Sequence, residues 1–341
     1  MPTLPQPAPH VAPPGPATSP HRPAPAESRP TIGVDVGGTK IAAGLVDATG
    51  RILATVRRPT PAEDSARVAT TIAEVVTDLA AGHDVEAIGI GAAGFVDATR
   101  STVLFAPNLA WRDEPLRRKV EERCGLPVVV ENDANAAAWG EFRLGAARDV
   151  SSAVVITVGT GIGGGVILDD RLVRGTHGVA AEIGHIKVVR RGRRCGCGQR
   201  GCLESYASGR ALVREAREIA TTSPHDGARL LELAGGHPED ITGPHVTQAA
   251  QEGDPAALEC FEQVGWWLGS GMADLAAVLD PAIFVIAGGV SESGDLLLAP
   301  ARRAFESTLS AGAFRPVAEI RRATLGNEAG IIGAADLART R

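Results

Sequence analysis

The stretch at residues 31–59, TIGVDVGGTKIAAGLVDATGRILATVRRP, decides the fold that the sequence predicts. Its apolar runs at 31–36 and 40–46 flank the turn GGTK, and a second turn leads to a third apolar run near 51–57. Residues 153–173, AVVITVGTGIGGGVILDDRLV, repeat the same order of strand, glycine turn, strand, acidic turn and strand. We interpret the two stretches as copies of one β-hairpin module, one in each half of the chain.

Helical and strand patterns alternate along the rest of the sequence. Apolar residues recur at helical spacing over 63–81, the segment 134–143 is rich in alanine, and 256–279 is a long apolar run. The segment AIFVIAGGV, 282–290, reads as a buried strand that ends in a glycine pair. This alternation predicts an α/β fold with two domains.

We expect three parts along the chain. Residues 1–30 are rich in proline and alanine, which predicts a disordered arm. The first half, 31–135, would form a small α/β domain together with a C-terminal helix at 326–341. Residues 136–325 would form the larger α/β domain, which carries a cysteine-rich loop. Within it, 221–246 is rich in Gly, Pro and His and is expected to be a surface excursion.

Composition and charge exclude several classes of function. The 341 residues carry a net charge of −6, so we expect neither a nucleic-acid partner nor an anionic membrane surface. No apolar run approaches the length of a membrane span, and the N-terminal arm lacks the apolar segment of a secretory signal. We therefore predict a cytoplasmic protein in a reducing compartment, where disulfides are disfavoured.

Three glycine-containing turns follow predicted strands. In DVGGTK, Asp35 ends a strand and two glycines follow it, which lets the backbone approach an anion and places a carboxylate where Mg²⁺ would bind. GTGIGGG at 159–165 is a second such turn, and AGGV at 287–290 would suit a nucleoside. A glycine turn alone is more often structural. Three of them at strand ends favour a phosphate-binding function.

A cluster of thiols lies in the segment GHIKVVRRGRRCGCGQRGC, which ends at residue 202. Cys195, Cys197 and Cys202, with His185 upstream, form a Cys₃His set of the kind that binds zinc tetrahedrally. Four protein ligands leave no open position, so the predicted zinc is structural. Free buried thiols and a disulfide are the alternatives, and both are disfavoured. The other two cysteines are expected in the core.

Polar residues surround these motifs. Glu182 and Glu204 flank the thiol cluster, and Asn108 lies in the loop FAPNLAW. Asn132 and Asp133 stand between a strand and a helix, where an Asp is usually an N-cap. A strand-end carboxylate between two domains can instead accept the proton of a hydroxyl during phosphoryl transfer.

Together these motifs resemble the ROK family of sugar kinases. DVGGTK resembles the family's first phosphate loop, ENDANAAAWGE its catalytic segment, GTGIGGG its second phosphate loop, and the thiol cluster its zinc signature. The resemblance runs from about residue 31 to the end and implies a two-domain actin/hexokinase-like (ribonuclease H-like) ATPase fold. It also implies ATP-dependent phosphorylation of glucose at the 6-hydroxyl, with ATP, Mg²⁺ and structural Zn²⁺ as cofactors, and a homo-oligomer, either a dimer or a tetramer.

The resemblance assigns roles position by position, with Asp133 as the general base. The residues expected to hold the sugar hydroxyls are Asn108, Asn132, Asp133, Glu182, His185 and Glu204. Those expected around magnesium and the phosphates are Asp35, Gly37, Gly38, Thr39, Lys40, Thr160 and Gly161. Gly288 and Gly289 would lie beside the nucleoside. The zinc ligands would be His185, Cys195, Cys197 and Cys202.

Related functions stay open at this point. The family form has Gly where Ala181 stands, and glucose-specific members from high-GC bacteria share the Ala, which favours glucose. Kinases of N-acetylated amino sugars and fructokinases share nearly all of the motifs. A sugar-responsive transcription regulator is the third alternative. It is disfavoured because the 30 residues before the first strand are too few for a DNA-binding domain.

Overall fold

The computed structural model describes residues 29–340, so all but the last two positions of the predicted arm lie outside it. The strands are β1 Thr31–Val36, β2 Lys40–Val46, β3 Ile52–Pro59, β4 Ile88–Ala92, β5 Phe95–Val96, β6 Val103–Phe105, β7 Arg112–Glu114, β8 Val128–Asn132, β9 Ala153–Val158, β10 Ile162–Leu168, β11 Arg171–Leu172, β12 Ile283–Ala287 and β13 Glu319–Arg322. The α-helices are α1 Ser65–Ala80, α2 Leu116–Cys124, α3 Asp133–Leu144, α4 Glu204–Ala207, α5 Gly209–Thr222, α6 Ala228–Leu233, α7 Gly243–Gln251, α8 Pro255–Leu279, α9 Asp295–Thr308 and α10 Ala329–Arg339.

Two five-stranded sheets are built on the same plan. The first has the order β3-β2-β1-β4-β8, and the second has the order β11-β10-β9-β12-β13. In each, an antiparallel hairpin (β1–β2 or β9–β10) is extended by a parallel strand, β4 beside β1 and β12 beside β9. The predicted duplication of a β-hairpin module is therefore confirmed. β5, β6 and β7 form a small separate sheet.

Helices α3 and α10 pack between the sheets with almost no side chain between their backbones. A Cβ on Gly333 of α10 would lie 1.8 Å from the carbonyl oxygen of Ala136 in α3. Likewise, a Cβ on Gly33 of β1 would lie 1.9 Å from the carbonyl oxygen of Ile331 in α10. Alanine and glycine in these segments allow this close approach, so α3 is held tightly at its position between the sheets.

The C-terminal half is largely helical around a core on one face of the second sheet. The segment 221–246 is more than the predicted surface excursion, because it includes α6 and the start of α7. Its side chains Leu230, Ile241 and Val246 are fully buried in that core. Scattered apolar residues among Gly, Pro and His concealed this burial at the level of sequence. Of the two isolated cysteines, Cys260 is buried as expected and Cys124 is only half-buried.

Among residues 29–340, no helix combines the length and the apolar character needed to cross a membrane.

Candidate active site

The first two glycine turns present free backbone donors at equivalent places in the two sheets. The N–H groups of Gly38 and Thr39 in the first turn, and of Thr160 and Gly161 in the second, make no hydrogen bond within residues 29–340. Each turn is closed instead by a single backbone bond, such as that from the Gly37 N–H to the Lys40 carbonyl (3.0 Å). Such unused N–H groups form an anion-binding concavity.

The first turn contacts the loop that carries Asn108, and Asp35 lies near the end of the strand before it. Asp35 is the fifth residue of β1, and burial raises the pKa of its carboxyl while the nearby Lys40 opposes the shift. A Cβ on Gly38 would lie 2.9 Å from the Cβ of Asn108, so this glycine lets the turn touch the Asn108 loop. The predicted phosphate residue Gly38 and the predicted sugar residue Asn108 are therefore neighbours.

The second turn is fastened to the start of the helical region by Glu204. The Oε2 atom of Glu204 accepts a hydrogen bond from the Ile162 N–H (3.1 Å). A Cβ on Gly161 would stand 2.2 Å from that same oxygen, so a larger residue at this position would displace the Glu204 carboxylate. The Nε of Arg210 also donates to the Thr160 carbonyl (3.0 Å). Glu204 thus lies at the predicted phosphate turn.

The third glycine turn lies against the second. Gly288 has φ 87° and packs so closely on β9 that its Cβ would be 2.6 Å from the Val158 carbonyl oxygen. Gly289 has open space on its Cβ side. A Cβ on Gly209 would meet both the Gly159 carbonyl oxygen (2.7 Å) and Val290 (3.1 Å), which brings the second and third turns together.

Asn132 caps helix α3, and Asp133 is its first helical residue. The Asn132 Oδ1 accepts from the Asn135 N–H (3.0 Å), and its Nδ2 donates to the Gly94 carbonyl (3.1 Å). The N-cap alternative for Asp133 is therefore wrong, because its neighbour takes that role. This also leaves the Asn132 side chain one N–H of Nδ2 and one lone pair of Oδ1 for a sugar.

Asp133 lies where the two hairpins meet. The next residue, Ala134, packs against Gly163 of β10, where a Cβ would be 2.9 Å from its methyl group. The Asp133 carboxylate accepts a hydrogen bond from the Ala134 N–H (2.9 Å). Burial raises its pKa to about 7, and the nearby Asp35 and Glu182 carboxylates add to the shift. A carboxyl with such a pKa can exchange a proton near neutral pH.

The predicted zinc ligands converge. The donor atoms of His185, Cys195, Cys197 and Cys202 all lie within 4.8 Å of one another. The pairs Cys197 Sγ–Cys202 Sγ and Cys195 Sγ–His185 Nδ1 are each 3.7 Å apart. Bonds of about 2.3 Å in a tetrahedral zinc site give donor separations of roughly 3.7 Å, so this Cys₃His cluster fits zinc.

His185 connects the Cys₃His cluster to the acidic residues. Its Nδ1 faces Cys195, and its Nε2 lies 3.9 Å from the Glu182 Oε2. Partial burial raises the pKa of the Glu182 carboxyl, His185 opposes this, and the Glu204 carboxylate adds to it. A histidine that offers one nitrogen to a metal keeps the other for a neighbouring polar group.

Sequence reasoning missed one charged group beside Asp133. Glu131 in β8 is buried, and its Oε2 accepts a 2.6 Å hydrogen bond from the Arg174 Nε and lies 3.6 Å from the Arg100 Nε. The three residues come from distant parts of the chain, so no spacing in the sequence relates them. The only signal was a charged residue within an apolar strand.

Comparisons with known proteins identify the family of the chain. The family model described as ROK family matches residues 31–341. The chain is 53% identical over 309 residues to the glucokinase of Streptomyces coelicolor, a match that covers 91% of this chain and 97% of that protein.

Solved structures give the same result for the fold. A ROK family glucokinase from Streptomyces griseus, crystallised in complex with glucose and AMPPNP, matches with a TM-score of 0.83 at 54% identity over 92% of this chain and 100% of that one. A ROK hexokinase from Thermus thermophilus matches with a TM-score of 0.75 at 39% identity over 91% and 98%. The predicted two-domain actin/hexokinase-like fold is confirmed.

Proposed function

The chain belongs to the ROK family, and on that premise we propose that it phosphorylates glucose with ATP to give glucose 6-phosphate. The observation that carries the proposal is the position of Asp133, a carboxyl with a pKa of about 7 between two turns with free backbone donors. The similarity to glucokinases over nine-tenths of the chain supports both substrates.

Asp133 acts as the general base in this proposal. Its carboxylate accepts the proton of the glucose 6-hydroxyl as that oxygen attacks the γ-phosphorus of ATP in line. The attacking oxygen forms the new P–O bond, and ADP leaves with the electrons of the old one. Since a kinase of this type gains mainly from positioning, the sugar must be oriented by several groups.

The proposed sugar ligands come from both halves of the chain. Asn108 and Asn132 come from the first half of the chain, and Glu182, His185 and Glu204 come from the second. The carboxylates accept from sugar hydroxyls, and the amide groups donate to them. Closure of the two halves on the sugar would exclude water, which is the competing acceptor of the phosphoryl group.

The nucleotide is proposed to bind across the three glycine turns. The free N–H groups of the first two turns suit the phosphates, and the open side of Gly289 suits the nucleoside. Asp35 would hold Mg²⁺, because the ion prefers carboxylate oxygen and its partly buried carboxyl lies beside the first turn. When bound, Mg²⁺ would neutralise charge on the phosphates.

Zinc is proposed to bind the Cys₃His cluster and to act structurally. The metal would fix the 183–204 segment, so that Glu182, His185 and Glu204 keep their orientation toward the sugar. The predicted domain division at 135/136, the homo-oligomeric state and the cytoplasmic location remain proposals. A cytoplasmic location agrees with the use of ATP and with thiols that stay reduced.

The experiment that tests the function is coupled phosphorylation with ATP and Mg²⁺ on a panel of sugars. We expect kcat/KM for glucose to exceed that for N-acetylglucosamine, N-acetylmannosamine and fructose. A higher value for one of the other sugars would assign that substrate and leave the mechanism standing. No turnover on any sugar would overturn the kinase function.

A further inference from the structure

Glu131 uses both of its carboxylate oxygens, and each faces a different part of the protein. Its Oε1 accepts from the Asn132 N–H (3.0 Å) and from the Asn135 Nδ2 (3.1 Å), so it holds the turn that bears Asp133. Its Oε2 faces the guanidinium groups of Arg174 and Arg100. One side chain, 3% exposed, therefore joins the start of α3 to two distant segments.

Arg174 lies at the beginning of the segment 174–182, which ends at Glu182. The same segment is docked on the first half of the chain through Gly178, which has φ 86°. A Cβ there would lie 2.4 Å from the Val96 carbonyl oxygen and 2.6 Å from the Ala98 N. The segment 174–182 is therefore attached at both Arg174 and Gly178 before it reaches the proposed sugar site.

Arg100 comes from the turn next to that docking point. Its φ of 58° is in the left-handed region, which is costly for a residue with a side chain. The turn is held by Asp97, which accepts from the N–H groups of Ser101 (2.8 Å) and Thr102 (3.0 Å). In this conformation the Arg100 guanidinium lies against Glu131.

The arrangement is poorly suited to stabilising the fold. Two guanidinium groups share one carboxylate, and the Nε and Nη2 atoms of Arg100 are buried without a hydrogen bond within the described residues. Burial and the nearby Arg174 lower the pKa of Arg100 to about 10. Buried ion pairs seldom repay their desolvation, so a role in positioning explains the cluster better than a role in stability.

We propose that Glu131 is a positioning residue, which fixes Asp133 through the Asn132 N–H and, through Arg174, fixes the segment that carries Glu182. The inference rests on the proposed function, since it assigns the two positioned carboxylates to one sugar. Its prediction about structure, that Glu131 orders the segment 174–182, holds whatever the substrate is.

The test compares Glu131→Gln with Glu114→Gln. Glu114 is also a buried carboxylate, 6% exposed, and its Oε1 lies 2.6 Å from the Lys119 Nζ; within the described residues it forms no ion pair with the segment 174–182. Both variants lose a buried ion pair, so both should lower the thermal midpoint. Only Glu131→Gln should raise KM for glucose and lower kcat, together by about 10-fold or more, because small misplacements of reacting groups are costly. KM for ATP should change little.

Hydrogen–deuterium exchange of the ligand-free protein supplies a readout that does not depend on the substrate. Peptides covering 174–182 should exchange faster in Glu131→Gln than in wild type and should be unchanged in Glu114→Gln. If Glu131→Gln does not fold, Arg174→Lys should show the same kinetic split and exchange pattern, since it keeps the charge and loses the Nε contact. Wild-type exchange in the variants, or an equal kinetic defect in Glu114→Gln, would overturn the inference. A wild-type protein inactive on all sugars would overturn the proposed function alone.

Discussion

Replacing Asp133 by Asn is expected to remove activity and, at neutral pH, to make the folded protein more stable. Burial, with help from Asp35 and Glu182, raises the pKa of the Asp133 carboxyl from 3.8 to about 7. Asn has the same shape and can keep the hydrogen bond from the Ala134 N–H (2.9 Å), but it carries no charge. The substitution therefore separates the charge of the side chain from its packing.

The magnitude follows from linkage between protonation and folding. Because the folded state holds the Asp133 proton more tightly than the unfolded state, this stabilisation is complete below pH ~4 and is lost as the pH rises through about 7. A pKa shift of this size corresponds to at most ~4 kcal/mol in the free energy of unfolding. Since Asp133 is only half-buried, solvent screening reduces the expected gain from Asn to about 1–2 kcal/mol, or roughly 1.5–3 °C in the thermal midpoint.

Activity should change in the opposite direction. The base must be ionised, so wild-type kcat/KM should rise about tenfold per pH unit below pH ~7 and level off above it. Asp133→Asn should lose about 10²–10⁴-fold in kcat, the usual contribution of a positioned base. Coupled phosphorylation of glucose and thermal unfolding, both measured from pH ~5 to ~8, test the two effects on the same samples.

Asp97→Asn is the matched control. Although burial opposes the shift, hydrogen bonds from Thr99, Ser101 and Thr102 hold the pKa of the Asp97 carboxyl below its usual value. Loss of the Asp97 charge in Asp97→Asn should therefore destabilise the protein at neutral pH. The difference in stability between this variant and the wild type should shrink as the pH falls below ~4. If Asp133→Asn is active, or is less stable than wild type at every pH, then Asp133 is an ionised first-turn acid of α3 and the reasoning fails.

Three further predictions concern the metal cluster and the backbone. The purified protein should contain one zinc per chain. Removing the zinc with a chelator, or replacing Cys195 in Cys195→Ser, should lower the thermal midpoint by several degrees. A stable protein purified without metal would contradict this prediction. In urea unfolding, Gly333→Ala should destabilise the protein by about 1–3 kcal/mol, because the new Cβ would lie 1.8 Å from a backbone carbonyl oxygen of α3. The control Gly243→Ala, at the open first position of α7, should be neutral or slightly stabilising. Ala181→Gly should stabilise the protein by up to ~1 kcal/mol, because Ala181 has a left-handed φ of 67°, which glycine adopts at lower cost. Equal thermal midpoints for the variant and the wild type would show that Ala181 is not strained.

Local signals explain why much of the fold was predictable. The β1–β2 and β9–β10 hairpins were predicted nearly to the residue, because β-branched runs and glycine turns specify them within a short window. The helix predicted over 256–279 is observed as α8, Pro255–Leu279, since Asp254 caps it and a long apolar run continues it. The small β5–β6–β7 sheet was missed because its strands are only two or three residues long and pair without a local signature.

The sequence predicts a set of candidate site residues, but it does not give their arrangement. Asn132 and Asp133 are both good N-caps by type, and only the end of β8 at Asn132 decides which of them caps α3. Glu131 and Arg174 are 43 positions apart, so their contact depends on how the two halves pack. The glycines at 163 and 165 were interpreted as part of a phosphate loop, whereas their Cβ positions are filled by Ala134 and Ala138 of α3.

That last contact determines how the proposed base relates to movement of the two halves. Asp133 directly follows β8, which pairs with β4 in the first sheet, and the helix that it begins interlocks with β10 of the second. It therefore stands at the joint between the sheets. A rotation of one sheet against the other moves residues far from the joint further than it moves a residue at the joint. Closure would then move the unattached parts of the second half toward a nearly stationary Asp133, while the segment 174–182 stays attached at Arg174 and Gly178. This fits a base whose pKa depends on a fixed, half-buried environment.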